Sequence, residues 1–256
     1  MNKINELFQK RKEDILSIYF TAGFPKLKDT GKILAELVKA GVDMIEIGIP
    51  FSDPLADGLV IQHSGEMALK NGMSLKILFE QLKKSNDLNQ KSKVPLILMG
   101  YLNPVLQFGV ENFCRRAHEV GISGIILPDL PMDEYLRDYK STFDKYDLKN
   151  IFLITPQTSE KRIRFIDEHS DGFIYMVSSS STTGVKKGGD AEKGKYFSRI
   201  KAMKLKNPLM VGFGIGDRKS FNEACEYASG AIIGSAFISH LQKGRKPSEF
   251  IRKIRV

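Results

Sequence analysis

One glutamate of this sequence stands in an otherwise apolar segment. Strand alternation over residues 44–49 places Met44, Glu46 and Gly48 on one face and three isoleucines on the other. The aliphatic face suits a layer of helices, so Glu46 should point into the interior of the fold. A buried carboxyl group is costly unless it is paired or used, and desolvation raises its pKa toward a value at which it can donate a proton near neutral pH. Glu46 is therefore either a general acid or a structural carboxylate bridged to a neighbouring Lys or Arg.

An irregular loop with two prolines and two further carboxylates follows this segment directly. It covers residues 50–58 and includes Asp53 and Asp57. Prolines and aspartates in this arrangement mark a loop rather than a continued strand. The loop therefore places two more candidate acids close to Glu46 in the sequence.

The elements that position these residues alternate along the chain. Short runs rich in Ile, Leu and Val alternate with longer segments of helical periodicity, without an obvious linker. Strands are predicted at 15–21, 44–49, 94–100, 124–127, 151–154, 172–177, 209–212 and 231–234, and helices include 32–40, 110–120, 160–169 and 219–228. Eight strand–helix units predict an α/β protein with one (β/α)8 TIM barrel domain over residues 1–256, whereas an open doubly wound sheet of this length more often has about five to seven strands.

The barrel fold also predicts where the chemistry lies. Active sites of TIM barrels collect at the carboxyl ends of the strands and in the loops that follow them. Glu46 and the loop at 50–58 occupy this position on the second predicted strand. We therefore expect them to belong to one site.

Composition and charge exclude several classes of protein. The 256 residues are 42% hydrophobic and 27% charged, unlike disordered or collagen-like chains. No apolar run reaches the length of about 18 residues expected of a membrane span, and residues 1–14 lack the apolar core of a signal peptide, so we expect a cytoplasmic protein. The net charge is +9, and residues 241–256 hold six cations and one acid. Three apolar residues there lie on one helical face, which favours a docked helix with a solvated side over a nucleic-acid site.

Other recognisable motifs do not support a different chemistry. Residues 189–195 have the spacing of a P-loop, but Tyr196 replaces the hydroxyl residue that would hold magnesium. Residues 212–216 are not a dinucleotide fingerprint, because Asp217 stands at the third required glycine. The four histidines lack metal-ligand spacing, so no metal site is predicted.

Residues 45–58, IEIGIPFSDPLADG, resemble the signature of the tryptophan synthase α-subunit family along their full length. The resemblance continues at most of the other predicted strand ends. It includes YFTAGFP at 19–25, YLNP at 101–104, PDLP at 128–131, GFGI at 212–215 and GSA at 234–236. It therefore covers essentially the whole chain.

The resemblance implies a carbon–carbon lyase that cleaves indole-3-glycerol phosphate to indole and glyceraldehyde 3-phosphate by a retro-aldol reaction. Cleavage requires protonation of the ring carbon that leaves, and Glu46 matches the family's catalytic glutamate. Asp57 matches the family aspartate that stabilises positive charge on the indole nitrogen. Tyr101 and Tyr175 match tyrosines that bound the indole pocket.

The resemblance also implies a phosphate site and a lid. Gly214, Gly234 and Ser235 match the family's phosphate cradle, to which Gly184 contributes from the loop after the sixth strand. Glycines let backbone N–H groups approach an anion, and helix N-termini favour negative charge. The loops at about 50–58 and 178–195 are expected to be mobile, and Thr183 is placed to hydrogen-bond with Asp57 when the second loop closes.

A partner follows from the same resemblance. Indole would pass to a β subunit that carries pyridoxal phosphate and condenses indole with L-serine to L-tryptophan, in an α2β2 heterotetramer. This chain itself would need no cofactor. Its partners would be the β subunit and the small-molecule phosphate substrate, with no nucleic acid and no membrane.

The sequence departs from the family pattern at two places, and two other functions are also compatible with a barrel of this kind. Ser179 and Ser181 stand where many members have Arg and Gly, which puts lid closure and communication with the β subunit in doubt. Phe24 stands where many members have Asp, and its effect on the pocket stays open. Another phosphosugar barrel enzyme, such as an isomerase or epimerase, would keep the phosphate glycines but needs no indole pocket. A non-catalytic barrel that only activates a β subunit would need a broken Glu46 or Asp57, and both are present.

Overall fold

A parallel sheet runs through the computed structural model, which describes residues 1–85, 91–178 and 189–256. Its strands are β1 (Ile15–Thr21), β2 (Met44–Gly48), β3 (Leu96–Met99), β4 (Ile122–Ile126), β5 (Lys149–Asn150), β6 (Phe152–Ile154), β7 (Ile174–Val177), β8 (Leu209–Gly212) and β9 (Gly230–Ile233). They are ordered β5-β4-β3-β2-β1-β9-β8-β7-β6. Only Ile151 separates β5 from β6 along the chain, so the ring of strands closes through the chain itself. The predicted TIM barrel is confirmed.

The fifth predicted strand is the one that the structure divides. The sequence pattern predicts one strand at 151–154, whereas β5 pairs with β4 and β6 pairs with β7. The backbone changes partner at Ile151, whose N–H donates to the carbonyl oxygen of Ile125 at 2.9 Å. Other strand ends differ by one or two residues for local reasons. For example, β7 begins after Gly172, whose φ of +119° lies outside the extended region.

Helices surround the sheet. They are α1 (Lys3–Lys10), α2 (Thr30–Lys39), α3 (Leu59–Lys70), α4 (Leu75–Lys84), α5 (Leu102–Phe108), α6 (Val110–Glu119), α7 (Met132–Glu134), α8 (Lys140–Lys145), α9 (Glu160–His169), α10 (Gly189–Ala202), α11 (Arg218–Cys225), α12 (Ser235–Gln242) and α13 (Pro247–Arg255), with a π-helical turn at Tyr135–Tyr139. The helix predicted at 160–169 coincides with α9, and the other three differ from the structure by at most three residues at either end.

The first helix closes one end of the barrel. Ile4 of α1 is fully buried, and a methyl group added at Gly124 of β4 would lie 2.7 Å from its Cδ1 atom. Phe8 of the same helix packs against Phe173, with ring centroids 5.7 Å apart. These contacts lie toward the amino ends of the strands, so the interior is reached from the carboxyl ends.

The last helix carries part of the positive charge noted in the sequence. Phe250, Ile251 and Ile254 of α13 are buried, whereas Arg252 and Lys253 are exposed, as expected of a docked helix with a solvated side. Among the described residues, no helix combines the length and apolarity needed to cross a membrane. A single domain with mobile loops at 50–58 and 178–195 stays a prediction, and residues 179–188 lie outside the described part of the chain.

Candidate active site

A cavity of about 270 Å³ opens at the carboxyl ends of the strands. Its wall comes from β1, β2, β3, β7 and β9, the loops after β2 and β8, and the first turns of α3 and α12. Several residues singled out in the sequence line it together. These are Glu46, Asp57, Tyr175, Gly214, Gly234 and Ser235. Barrel closure is what assembles them, because they lie up to 189 positions apart in the chain.

Glu46 has no solvent exposure in the centre of β2. Burial raises the pKa of its carboxyl group to about 8, and a hydrogen bond from Ser17 opposes this rise. The Ser17 hydroxyl donates to Oε1 at 3.0 Å, while Oε2 has no hydrogen-bond partner among the described residues. The bridge to a Lys or Arg that the sequence left open is not formed within this part of the chain. Glu46 is thus a buried carboxyl that stays protonated at neutral pH.

Asp57 enters the cavity from the loop after β2. Burial raises the pKa of this carboxyl group to about 6, against a hydrogen bond from Tyr101 that lowers it. The loop is braced by its own backbone, since the Asp57 N–H donates to the carbonyl oxygen of Pro54 at 3.1 Å. Gln62 of α3 donates to the Asp57 carbonyl oxygen at 2.9 Å. The site therefore holds two carboxyl groups, of which Asp57 is ionised at neutral pH and Glu46 is not.

Tyr101 lies behind this loop instead of in the cavity wall. Its hydroxyl oxygen accepts the N–H of Ala56 at 3.0 Å and also hydrogen-bonds with the Asp57 carboxyl. Its ring stacks on Phe51, with centroids 5.1 Å apart. The sequence placed Tyr101 at the indole pocket, and in the structure it contacts the residues that position Asp57.

Two tyrosines fit into the cavity wall only because glycines face them. A methyl group at Gly212 would lie 2.0 Å from the hydroxyl oxygen of Tyr175, and one at Gly48 would lie 2.1 Å from that of Tyr19. Burial is the main cause that raises the pKa of both phenols, so both are neutral near pH 7. Gly48 lies on the strand next to that of Tyr19, and Gly212 on the strand next to that of Tyr175. The tyrosines therefore leave no room for a larger side chain at either position.

We expect Gly212→Ala to displace Tyr175 and damage the cavity wall. Overpacking of this kind should lower the free energy of unfolding by about 1–3 kcal/mol, and KM should rise because the wall moves. Urea unfolding followed by circular dichroism measures the first effect. Gly194→Ala is the matched control, since no atom of the described residues lies within 4 Å of the added methyl group and Ala favours the surrounding helix. Equal stability of the Gly212→Ala variant and the wild type would contradict this account.

The opposite side of the cavity is built from backbone. Gly214 has a φ of +71°, which a side chain would strain, and follows Phe213 at φ +68°. Gly234 is the N-cap residue of α12 and Ser235 its first residue, and no side chain of the described residues caps this helix. Within the described residues, neither Lys nor Arg lines the cavity. An anion here would therefore meet backbone N–H groups and a helix N-terminus.

Some lining residues were missed in the sequence, and two predicted ones cannot be placed. Thr183 and Gly184 lie outside the described residues. The missed residues include Tyr19, Met99, Phe213, Ile215 and Ile232. The matched run at 19–25 could have pointed to Tyr19, since the run begins with this residue. Among the described residues, no group of three or more His, Cys, Asp or Glu side chains is arranged to hold a metal ion.

Comparison with known proteins relates the chain to one family. A family profile described as tryptophan synthase alpha chain matches residues 6–255. The tryptophan synthase alpha chain of Bacteroides fragilis is 54% identical over 255 residues, covering 100% of this chain and 96% of its own. That of Flavobacterium psychrophilum is 56% identical over 256 residues, covering 99% and 100%.

A solved structure gives the same answer from the fold. The crystal structure of tryptophan synthase subunit alpha from Legionella pneumophila superposes with a TM-score of 0.87 at 34% identity, covering 100% of this chain and 97% of that one. Sequence and fold thus agree over the full length. This chain belongs to the tryptophan synthase alpha chain family, the lyases that cleave indole-3-glycerol phosphate.

Proposed function

We propose that Glu46 is the general acid and Asp57 the charge-stabilising group in the cleavage of indole-3-glycerol phosphate. The observation that supports this most is the pair of carboxyls in one cavity whose pKa values are raised to about 8 and about 6. Two carboxyl groups held in different protonation states at one pH are suited to two different roles. A non-catalytic barrel would have no use for this arrangement.

Cleavage consumes one proton at the ring carbon and releases one from the side-chain hydroxyl. Glu46 donates its proton to the ring carbon that bears the side chain, which leaves positive charge on the indole nitrogen beside the Asp57 carboxylate. The bond between this carbon and the side chain then breaks, and its electron pair restores the neutral ring. The side-chain hydroxyl becomes the aldehyde of glyceraldehyde 3-phosphate, and its proton returns to Glu46.

The rest of the cavity binds the two ends of the substrate. Tyr19 and Tyr175 form the wall beside the carboxyls and suit the flat indole ring. Gly214, Gly234 and Ser235 hold the phosphate through backbone N–H groups and the N-terminus of α12. Tyr101 acts by holding Asp57. The roles of Gly184 at the phosphate and of Thr183 toward Asp57 stay predictions from the family resemblance, since both residues lie outside the described part of the chain.

We expect kcat/KM to follow a bell-shaped pH profile. Glu46 must be protonated to act as an acid, so activity falls as pH rises through about 8. Asp57 must be ionised, so activity falls as pH decreases through about 6. A substrate phosphate also titrates near pH 6, so the acid limb of the profile is measured again in Asp57→Asn. The limb should disappear in this variant if Asp57 causes it and persist if the phosphate does. Activity that keeps rising above about pH 9 would contradict the role of Glu46.

Membership of this family implies a beta subunit as partner. We propose an α2β2 assembly in the cytoplasm, in which pyridoxal phosphate is bound by the beta subunit and this chain needs no cofactor of its own. Exposed leucines after β2 and β3, at the carboxyl ends of the strands, support a docking surface there. Leu55 is 90% exposed in the loop after β2, and Leu59 and Leu106 are 71% and 45% exposed at the same end of the barrel.

The reaction is tested by measuring indole and glyceraldehyde 3-phosphate released from indole-3-glycerol phosphate, with and without a cognate beta subunit. Slow cleavage alone and faster cleavage with the partner are expected. No cleavage in either condition by a folded protein that binds phosphate would overturn the proposal and favour a barrel that only activates its partner.

The docking surface is tested separately by the affinity of the two subunits. Leu55→Asp and Leu106→Asp should weaken the complex, because they place a charge in an apolar contact. Leu69→Asp is the control, since Leu69 is 37% exposed at the far end of α3. Equal affinity for all three variants would place the partner elsewhere.

A further inference from the structure

Ser17 lies deeper in the barrel than Glu46 and contacts its carboxyl group. The register of β1 and β2 pairs Tyr19 with Glu46 and Ser17 with Met44. Ser17 therefore shares a face of β1 with Tyr19 and lies diagonally across from Glu46, two residues toward the amino end of the strand. Its side chain has no solvent exposure, and its hydroxyl donates to Glu46 Oε1 at 3.0 Å.

This contact makes the two oxygens of Glu46 different. Oε1 accepts a hydrogen bond, whereas Oε2 has no partner among the described residues. Glu46 lines the cavity and Ser17 does not. Ser17 can therefore influence a bound substrate only through Glu46, and Oε2 is the oxygen left for exchange with that substrate.

We propose that Ser17 is a positioning residue of the reaction, whose hydroxyl holds Oε1 of Glu46 so that Oε2 carries the proton given to the substrate. The inference rests on the proposed function, in which Glu46 is the general acid. When Oε2 protonates the ring carbon, negative charge remains on the carboxylate and the hydrogen bond from Ser17 strengthens. The proton released by the substrate hydroxyl then returns to Oε2, and Ser17 keeps its own proton throughout.

The other titratable groups around Glu46 do not replace this contact. Asp57, Tyr19 and Tyr175 line the same cavity. Burial and the nearby carboxylates raise the pKa of both tyrosines, so neither phenol ionises in the range where Glu46 titrates. Burial would act on Glu46 unopposed without the Ser17 hydroxyl, because that hydrogen bond is the contribution that lowers the pKa of Glu46.

The test combines a titration that needs no turnover with steady-state kinetics of the full chain. The protein is labelled with ¹³C at the glutamate side-chain carboxyl carbon, and Glu46→Gln identifies the Glu46 signal by its loss. Ser17→Ala should raise the pKa of Glu46 by about one unit. It should also lower kcat roughly tenfold with little change in KM, since Ser17 does not line the cavity, and move the alkaline limb of the pH profile upward.

Two variants separate a hydroxyl effect from a packing effect. Ser17→Thr keeps the hydroxyl and should restore both the pKa of Glu46 and kcat. Ser17→Cys keeps the size but donates weakly and should give an intermediate shift. Ser123→Ala removes another buried serine hydroxyl, on β4, and should leave both quantities unchanged.

The outcomes for Ser17 and for the proposed function can be told apart. An unchanged Glu46 pKa in Ser17→Ala, with wild-type cleavage intact, overturns the role of Ser17 and leaves the proposed function standing. A change in Ser17→Ala that Thr does not restore, and that Ser123→Ala reproduces, overturns it in favour of general loosening of the barrel. Absence of cleavage by the wild type overturns the proposed function, whatever the titration shows, and the role of Ser17 with it.

Discussion

Glu46→Gln should abolish cleavage while the protein still folds. Gln has the same shape as Glu, and its amide oxygen can still accept the hydrogen bond from Ser17, so packing inside the barrel is kept. It cannot deliver a proton to the ring carbon, and loss of a general acid lowers turnover by about 10²–10⁴-fold. Release of indole is the measurement, with circular dichroism and urea unfolding to establish the fold.

The control for this variant is a glutamate outside the cavity. Glu66→Gln changes an exposed residue of α3 whose partner is Lys70, and should leave turnover near the wild-type value. Stability should hold or rise in Glu46→Gln, because a neutral amide replaces a group that is costly to ionise when buried. Normal turnover in this variant would remove Glu46 from the mechanism.

Asp57→Asn should produce the second largest loss. The amide keeps the size of the side chain and a hydrogen bond with Tyr101, but supplies no negative charge to the indole nitrogen as positive charge develops there. Loss of one preorganised electrostatic group costs about 10²–10³-fold in kcat. The effect should fall mainly on kcat, since the charge is needed in the transition state and not in the bound substrate.

Asp53→Asn is the matched control for Asp57→Asn. Asp53 belongs to the same loop after β2 but is exposed and does not line the cavity. We expect its kcat to stay within about twofold of the wild type. If both aspartate variants lost activity equally, loop structure and not the charge of Asp57 would be responsible.

The barrel and the inward direction of Glu46 could be predicted from local pattern. Strand alternation depends on backbone geometry alone, so residues 44–49 determine which side chains share a face before any tertiary contact forms. The alternation of apolar runs and helical segments specifies a parallel sheet, because a helix between two strands returns the chain to the end where the first strand began. The division at Ile151 could not be predicted, because it depends on which neighbouring strand each residue pairs with.

The composition of the site followed from the sequence only through the matched motifs. Glu46 and Asp57 belong to one long run that can be compared residue by residue. Tyr101 belongs to such a run as well, but its place behind the loop depends on stacking against Phe51, which no motif encodes. Motif matching identifies residues, and tertiary packing decides which of them face the substrate.

By itself the sequence determined the fold class, the end of the barrel at which the site lies, and the carboxyl groups available to it. Only the tertiary structure decided their protonation and their partners. The pKa values of Glu46 and Asp57 depend on how completely each is removed from water and on single contacts with Ser17 and Tyr101. Ser17 lies 29 positions from Glu46 in the chain, and its contact with Glu46 forms only when β1 and β2 pair in register. Electrostatics depends on distance and solvent in three dimensions, which residue order does not specify.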